Sequence, residues 1–451
     1  MYQKILVANR GEIAVRIIRA CREMGIRTVA VCSEADREAL HAQLADECIC
    51  IGGARPADSY LNMESILTAA VASGAEAVHP GFGFLSENTR FASLCERCGI
   101  DFIGPSAQCI ADMGDKAEAR RKMQQAGIPV IPGTENAMTD ADAARRFADE
   151  IGYPVIIKAS AGGGGKGMRV VEQPEQFEEA FRLAQRETQL AFGDDHMYVE
   201  KYLHPVRHIE FQILADRQGN TIHLGERDCS IQRRHQKLTE EAPAVFLPEE
   251  LREEMGKAAV DAAKAAGYYS AGTVEFLVDS RNHFYFMEMN TRIQVEHPVT
   301  EMVTGVDLIK EMIRISAGEK LSYCQSDICV RGHAIECRIT AEDAGRGFLP
   351  CTGTVTELHI PGGNGVRVDT MLYNGCEILP YYDSMLAKVI VCGRNREEAI
   401  RKMRSALGEL IIEGVTTNRD FQYELTGSNE FAAGDIDAIN ERLQTEDMRR
   451  R

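Results

Sequence analysis

Short apolar runs and helically spaced ones take turns at the start of the chain. Residues 4–9 are a strand-like apolar run, after which Ile13, Ile17 and Cys21, with Ala14 and Ile18, recur at the spacing of one helix face. Gly25 stops that helix, and residues 28–32 are apolar again. The pattern predicts β-α-β, the opening of a parallel sheet. A second such unit runs through residues 69–78, reaches the loop His79-Pro80-Gly81-Phe82-Gly83-Phe84 and ends near Ile103-Gly104-Pro105. A dinucleotide-binding first turn needs G-x-G-x-x-G, whereas this one reads Asn9-Arg10-Gly11-Glu12.

Past Pro105 the pattern changes. A charged helical stretch, residues 115–125, leads to two strand-like segments, 155–158 and 168–171, on either side of Gly162-Gly163-Gly164-Gly165-Lys166-Gly167. A Walker A loop ends in Gly-Lys-Ser/Thr and feeds a helix; this one does neither. Glycines between strands free successive N–H groups to converge on phosphate oxygens, and Lys158 and Lys166 add positive charge there. From about residue 327, short strands alternate with Pro and Gly, and helices near 397–407 and 436–443 close the chain. This predicts a third, α+β region.

Residues 273–278 and 283–290 read as two strands around Asp279-Ser280-Arg281-Asn282. With the turn centred between Arg281 and Asn282, Glu275 faces Glu288 with Cβ atoms about 5 Å apart; an odd-length loop puts the two on opposite faces. Facing carboxylates repel unless a cation lies between them. With Asn290 two residues on, the set suits Mg²⁺ or Mn²⁺. Period two then continues the polar row through Glu288, Asn290, Arg292, Gln294 and Glu296, with Met287, Met289, Ile293 and Val295 between. Arg292 can clamp a planar oxyanion and Glu296 can take a proton from it. Gln232-Arg233-Arg234-His235-Gln236-Lys237 supplies further donors.

The 451 residues suffice for two to four domains at about 100–200 residues each. A formal charge of −17 argues against nucleic acid or an anionic membrane surface as main partner, and the apolar runs are too short to span a membrane. Small anions need only a local basic pocket. The 14 cysteines are scattered and read as reduced thiols of a cytoplasmic protein. Cys95-x-x-Cys98 lacks a second pair to complete a zinc site, and the N-terminal apolar run is too short for a secretory signal.

The strings His79-Pro80-Gly81-Phe82-Gly83-Phe84-Leu85-Ser86-Glu87-Asn88, Met113-Gly114-Asp115-Lys116, the tetraglycine loop, residues 288–297 and Glu336-Cys337-Arg338-Ile339 stand in this order. Together they resemble biotin carboxylase, the ATP-grasp component of acetyl-CoA carboxylase, over essentially the whole chain. The resemblance implies an α/β ATP-grasp fold: a Rossmann-like parallel N-terminal domain (1–113), an ATP-grasp domain (114–317) with a mobile lid about 130–203, and a C-terminal α+β domain (318–451). It implies ATP-dependent carboxylation of biotin with bicarbonate through carboxyphosphate, the first half-reaction of acetyl-CoA carboxylase in fatty acid synthesis. Alternatives are the same component of a split pyruvate carboxylase or other acyl-CoA carboxylase, or another ATP-grasp ligase joining a carboxylate to an amine. Two Mg²⁺ or Mn²⁺ ions, a biotin carboxyl carrier protein, carboxyltransferase subunits and a second copy in a homodimer are the implied cofactors and partners.

Carried over by position, the resemblance assigns ATP to Lys116, Lys158, Gly164, Gly165, Glu200, Lys201, Tyr202, Leu203, His208, His235, Lys237, Glu275 and Glu288. It assigns the metal ions to Glu275, Glu288 and Asn290, and bicarbonate to Lys237, Arg292, Gln294, the backbone of Val295, and Glu296 as general base. Biotin falls to Arg338, which would stabilise its enolate, with Phe82, Gly83 and Gln232. Phe82 stands where many relatives carry Tyr, and Cys351-Thr352 replaces a more usual Ser-Pro. No Ala-Met-Lys-Met attachment motif occurs, so biotin is expected on a separate carrier. Lys116, Lys158, Lys166, Arg233, Arg234, Lys237, Arg292 and Arg338 are expected to gather into one basic cleft.

Overall fold

The first apolar run forms the strand Lys4–Val7, the centre of a parallel sheet ordered Glu47–Cys50, Arg27–Cys32, Lys4–Val7, Ala77–His79, Asp101–Phe102. Ile5, Leu6 and Val7 are buried on both faces, the mark of a sheet covered on each side. Ile13, Ile17 and Ile18 of helix Gly11–Glu23 pack with Leu308, Ile309 and Met312 of helix Leu308–Ser316 on one side; Val29, Val31, Ile66 and Phe91 fill the other. The strand order reverses at Lys4–Val7, which opens a crevice at the carboxyl ends of the strands. There Asn9 Nδ2 donates to the carbonyls of Pro80 (2.7 Å) and Phe82 (2.8 Å), fastening the 79–84 loop. Gly81 takes φ +63, and a Cβ there would stand 3.0 Å from Asn9 Nδ2, so the close approach requires glycine.

In this computed structural model, residues 1–159, 168–192, 195–234 and 236–449 are described, and they divide into two compact units. The larger holds Met1–Gly114, His208–Glu275 and Met289–Arg451; the smaller holds Asp115–Arg207 and Phe276–Glu288. In the larger unit a second, antiparallel sheet runs Ser270–Asp279, Val206–Ala215, Thr221–Arg233, Gln236–Ala242, His333–Thr340, Met385–Gly393, Val366–Thr370. His333–Thr340 pairs with Gln236–Ala242, Glu240 lying opposite Glu336, so the expected C-terminal region shares a sheet with central strands. The strand alternates. Ile335, Cys337 and Ile339 pack on Met403 and Leu407 of helix Arg396–Glu409, which leaves Glu336 and Arg338 to the opposite face.

The smaller unit is built on the antiparallel sheet Arg169–Val171, Val155–Ala159, Met197–Lys201, with Ile156 opposite Val170. Its core joins Val155, Ile157 and Val199 to Phe177 and Phe181 of helix Phe177–Phe192. The two strands expected on either side of the glycine run are present and pair antiparallel. Gly164, Gly165 and Lys166 between the two strands, and His235, lie outside the described residues.

The hairpin turn differs from the even-length expectation. Asp279 N donates to His283 O (2.9 Å), Asn282 N to Asp279 O (3.0 Å), and Asn282 takes φ +63. This is a three-residue loop with a left-handed third position. The Asp279 carboxylate selects it by accepting the N–H groups of Arg281 and His283, both at 2.9 Å. Asp279 therefore faces His283, and Phe276 shares a face with Phe284 and Phe286. The strand count that set Glu275 opposite Glu288 does not hold. Nor does the strand extend to Glu296: it ends at Asn290, and Glu296 stands just before helix His297–Thr304 with no side-chain bond to the helix N–H groups.

Candidate active site

Neighbouring strands of the larger unit aim charged side chains at the Glu296 carboxylate. Glu296 is fully buried, with Lys237 Nζ 2.6 Å from Oε1 and Arg338 Nη2 3.0 Å from Oε2. Burial opposes ionisation, but Lys237, Arg338 and Arg227 outweigh it and hold Glu296 well below the usual carboxylate range. Lys237 Nζ also reaches Glu210 Oε2 at 2.6 Å and Glu275 Oε1 at 3.1 Å. Burial alone would strip its proton; Glu210 and Glu296 keep the ammonium charged, well above the ordinary lysine value. Beneath it the fully buried Arg227 donates to Glu210 Oε1 (2.6 Å), Gln212 (2.8 Å), Thr300 (2.9 Å) and Thr273 (3.0 Å). Every face of that guanidinium is used, as a buried charge requires.

Glu275 sits among donors. Its Oε1 accepts from Asn290 Nδ2 (2.8 Å) and Gln294 Nε2 (2.7 Å), and its Oε2 lies 2.5 Å from His208 Nε2. Gln232 Nε2 donates to His208 Nδ1 (2.9 Å), which leaves the ring proton on Nε2, toward Glu275. Burial works against the charges of both; Lys237 and His208 nevertheless lower Glu275 far below its ordinary value, and Glu275 raises His208. Arg292 donates to Glu87 Oε2 (2.8 Å), Gln294 Oε1 (3.1 Å) and Asn290 Oδ1 (3.0 Å). Arg338 Nε donates to Glu240 Oε1 at 2.6 Å, and burial, partly offset by Arg338, raises Glu240 to about 7. Val295 is half-buried, and its carbonyl accepts from Lys388 Nζ at 2.8 Å.

Glu275, Asn290, Arg292, Gln294, Glu296, Lys237, His208, Gln232 and Arg338 thus belong to one connected network in the larger unit, while the Val295 carbonyl is held separately by Lys388. Phe82 and Gly83 stand at the switch-point crevice, Phe82 packed on the core and Gly83 exposed. Strand counting missed Glu87, Glu210, Arg227 and Glu240, whose partners lie far away in sequence. Glu87 stood in the string 79–88, whereas the only signal for Glu210, Arg227 and Glu240 was their charge inside strand-like runs. An oxygen-seeking divalent ion fits the ionised Glu275 carboxylate, while the Asn290 amide turns its nitrogen to Glu275 and its oxygen to Arg292 and would have to turn over to add a ligand. His208, Glu210 and Glu275 hold donor atoms within 4.8 Å of one another, as do Glu210, Cys229 and Glu296.

In the smaller unit, Lys158 pairs with Glu200, and Lys201 Nζ donates to the carbonyls of Gly152 and Tyr153, both at 2.9 Å. The N–H groups of Lys201 and Tyr202 go to the carbonyls of Pro132 (2.8 Å) and Pro154 (3.0 Å), while Leu203 is half-buried. Lys116 is exposed at the start of helix Lys116–Gln125, behind the Asp115 cap, and Glu288 is half-buried. Of the cations expected in a basic cleft, Lys166 lies outside the described residues, and in the larger unit Lys237, Arg292 and Arg338 each touch carboxylates. Arg233 donates to the Gly347 carbonyl and lies over the Phe348 ring.

The sequence matches three family descriptions in succession: "Biotin carboxylase, N-terminal domain" over residues 1–110, "Carbamoyl-phosphate synthase L chain, ATP binding domain" over 115–324 and "Biotin carboxylase C-terminal domain" over 336–439. It is 56% identical over 437 residues to biotin carboxylase 1 of Bacillus subtilis, covering 97% of each chain. It is also 56% identical to one of the pyruvate carboxylase subunits of Methanothermobacter thermautotrophicus, covering 97% of this chain and 89% of that one. Its fold matches the biotin carboxylase domain dimer of Hydrogenobacter thermophilus 2-oxoglutarate carboxylase, solved with MgADP, ADP and bicarbonate. That match has a TM-score of 0.89 and 52% identity, covering 96% of each chain.

Proposed function

The chain belongs to the biotin carboxylase family, and from that membership we propose that it carboxylates biotin on a separate carrier protein, using ATP and bicarbonate. It is an ATP-grasp ligase. The observation that carries the site assignment is Glu296 held ionised between Lys237 and Arg338, with Arg292 in the same network.

Bicarbonate is a weak nucleophile until it loses its proton. Arg292, Lys237 and the Val295 N–H orient it, and Glu296 takes the proton as a bicarbonate oxygen attacks the γ-phosphorus of ATP, releasing ADP and forming carboxyphosphate. While paired with Lys237 and Arg338, Glu296 binds a proton poorly. Its basicity rises as Lys237 turns to bicarbonate and Arg338 to biotin, so deprotonation is coupled to the presence of both substrates. Carboxyphosphate breaks into CO₂ and phosphate, the phosphate takes the ureido N1′ proton of biotin, and N1′ attacks CO₂ while Arg338 neutralises the enolate oxygen. Phe82, Gly83 and Gln232 are assigned to the biotin side.

Lys116, Lys158, Glu200, His208 and Lys237, with Gly164, Gly165 and His235, are assigned to ATP. Because the N–H groups of Lys201 and Tyr202 are already used, the backbone donor to adenine in that segment is assigned to Leu203. Divalent ions, held by Glu275 and Asn290 with Glu288 added on the resemblance alone, would neutralise phosphate charge.

The acceptor half-reaction is assigned to acetyl-CoA carboxylase, with carboxyltransferase subunits and a homodimer as partners. The equal identity to a pyruvate carboxylase component favours pyruvate as a second reading. All 14 cysteines are free, in keeping with a reducing cytoplasm, and no helix among the described residues is long and apolar enough to cross a membrane. ATP hydrolysis measured with and without bicarbonate and free biotin tests the central assignment. Hydrolysis that needs both is expected, and hydrolysis indifferent to bicarbonate overturns it. Transfer of labelled carboxylate to acetyl-CoA or to pyruvate in the reconstituted complex separates the two acceptors.

A further inference from the structure

We propose that His297 is a positioning residue that aims the Val295 N–H at bicarbonate by holding the carbonyl of the same peptide unit from behind. His297 Nδ1 lies 2.8 Å from the Gln294 carbonyl oxygen. A carbonyl only accepts, so Nδ1 carries the proton. The Gln294–Val295 peptide is trans and planar, so its C=O and N–H point in opposite directions, and fixing the oxygen fixes the direction of the Val295 N–H. The next peptide is held in the same way, the Val295 carbonyl accepting from the fully buried Lys388 at 2.8 Å. Both carbonyls flanking Val295 are therefore anchored on the protein side.

The surroundings of His297 suit this single role. The ring is fully buried at the first position of helix His297–Thr304. Burial, then Lys388, Arg16 and Arg367, keep it neutral, well below the ordinary histidine value. Glu301 Oε2 is 3.9 Å from Nε2, but that carboxylate is already engaged by Arg16 (3.1 Å), Arg367 (2.6 Å) and the Leu308 N–H (2.7 Å). Nε2 has no hydrogen-bond partner among the described residues, so the ring's one proton goes to Nδ1 and its one bond to the Gln294 carbonyl. Both His297 and Lys388 act through the backbone carbonyls they hold.

The inference rests on the reading that the Val295 N–H binds bicarbonate, and the test separates the two. An Asn amide nitrogen overlays Nδ1, whereas a Gln amide nitrogen overlays Nε2. In bicarbonate-dependent ATP hydrolysis by the full chain, His297→Gln is expected to raise the bicarbonate KM about tenfold and move the ATP KM less than about twofold, one hydrogen bond's worth. His297→Asn is expected to bring the bicarbonate KM back to within about threefold. Arg292→Ala reports on the underlying reading. If it leaves the bicarbonate KM unmoved, the bicarbonate site itself is misplaced; if it raises KM while His297→Gln does not, the role of His297 alone is overturned. Should His297→Gln fail to fold, ¹⁵N NMR of the histidine-labelled wild-type chain decides: a protonated Nδ1 with a bare Nε2 supports the inference, and the opposite tautomer overturns it.

Discussion

Arg338 shows how a residue's role is set by what stands behind it. Its guanidinium bridges Glu296 and Glu240, and Glu240 faces Glu336 across the strands, with Glu336 also raised well above the carboxylate range by burial. Arg338 was legible in the sequence because it sits in a distinctive string. Glu240 was not, because its importance comes from a strand pairing nearly a hundred residues away. Two outcomes follow at this scale. Arg338→Ala should abolish biotin carboxylation while leaving ATP affinity within about threefold, by equilibrium binding; equal loss of both would make the arginine structural. Glu240 has its pKa raised from 4.5 to about 7, so the folded state favours its proton. That contribution is complete below about pH 4.5 and is lost as pH rises through about 7. Glu240→Gln should therefore flatten the fall in urea midpoint between those pH values, and an unchanged slope would show that Glu240 does not titrate there.

At the scale of elements, alternation in His333–Thr340 was readable because one face meets a helix and the other meets charge. The hairpin was readable as two strands but not in register, since register was decided by a side chain binding its own turn. Asp279 collects two N–H groups, and Asn282 takes the left-handed position. The polar row through 288–296 was misread as one strand for a related reason. Alternation of residue types continued past Asn290, but the backbone had begun to turn into helix His297–Thr304. Its members Asn290 and Gln294 still converge on Glu275, and Lys237 links Glu275 to Glu296. The turn makes its own prediction. Asn282→Val should destabilise the smaller unit by about 1–2 kcal/mol, because a branched side chain resists positive φ, whereas Asn282→Gly should be near neutral. Unfolding monitored by hydrogen exchange of residues 276–288 measures both.

Over the whole molecule neither the net charge of −17 nor a count of cations revealed how the cations are matched. In the larger unit Lys237 touches three carboxylates, Arg338 two and Arg292 one, and in the smaller Lys158 is paired with Glu200. Those acids come from several strands and loops, so only the folded chain shows that each cation arrives with its counter-charge. Matched charges have a short reach. A basic cleft would steer MgATP and bicarbonate from a distance and lose that steering as salt shrinks the screening length from about 10 Å at 0.1 M. A network already neutralised by Glu210, Glu275 and Glu296 exerts its specificity only at contact, where screening is weak. Raising sodium chloride from about 50 to about 300 mM should therefore change kcat/KM for MgATP, and for bicarbonate, by less than about threefold. A fall of more than about tenfold would mean that unpaired cations dominate the approach. Glu210→Gln should shift the balance measurably, leaving Lys237 less compensated and making the bicarbonate KM more sensitive to salt than in the parent chain.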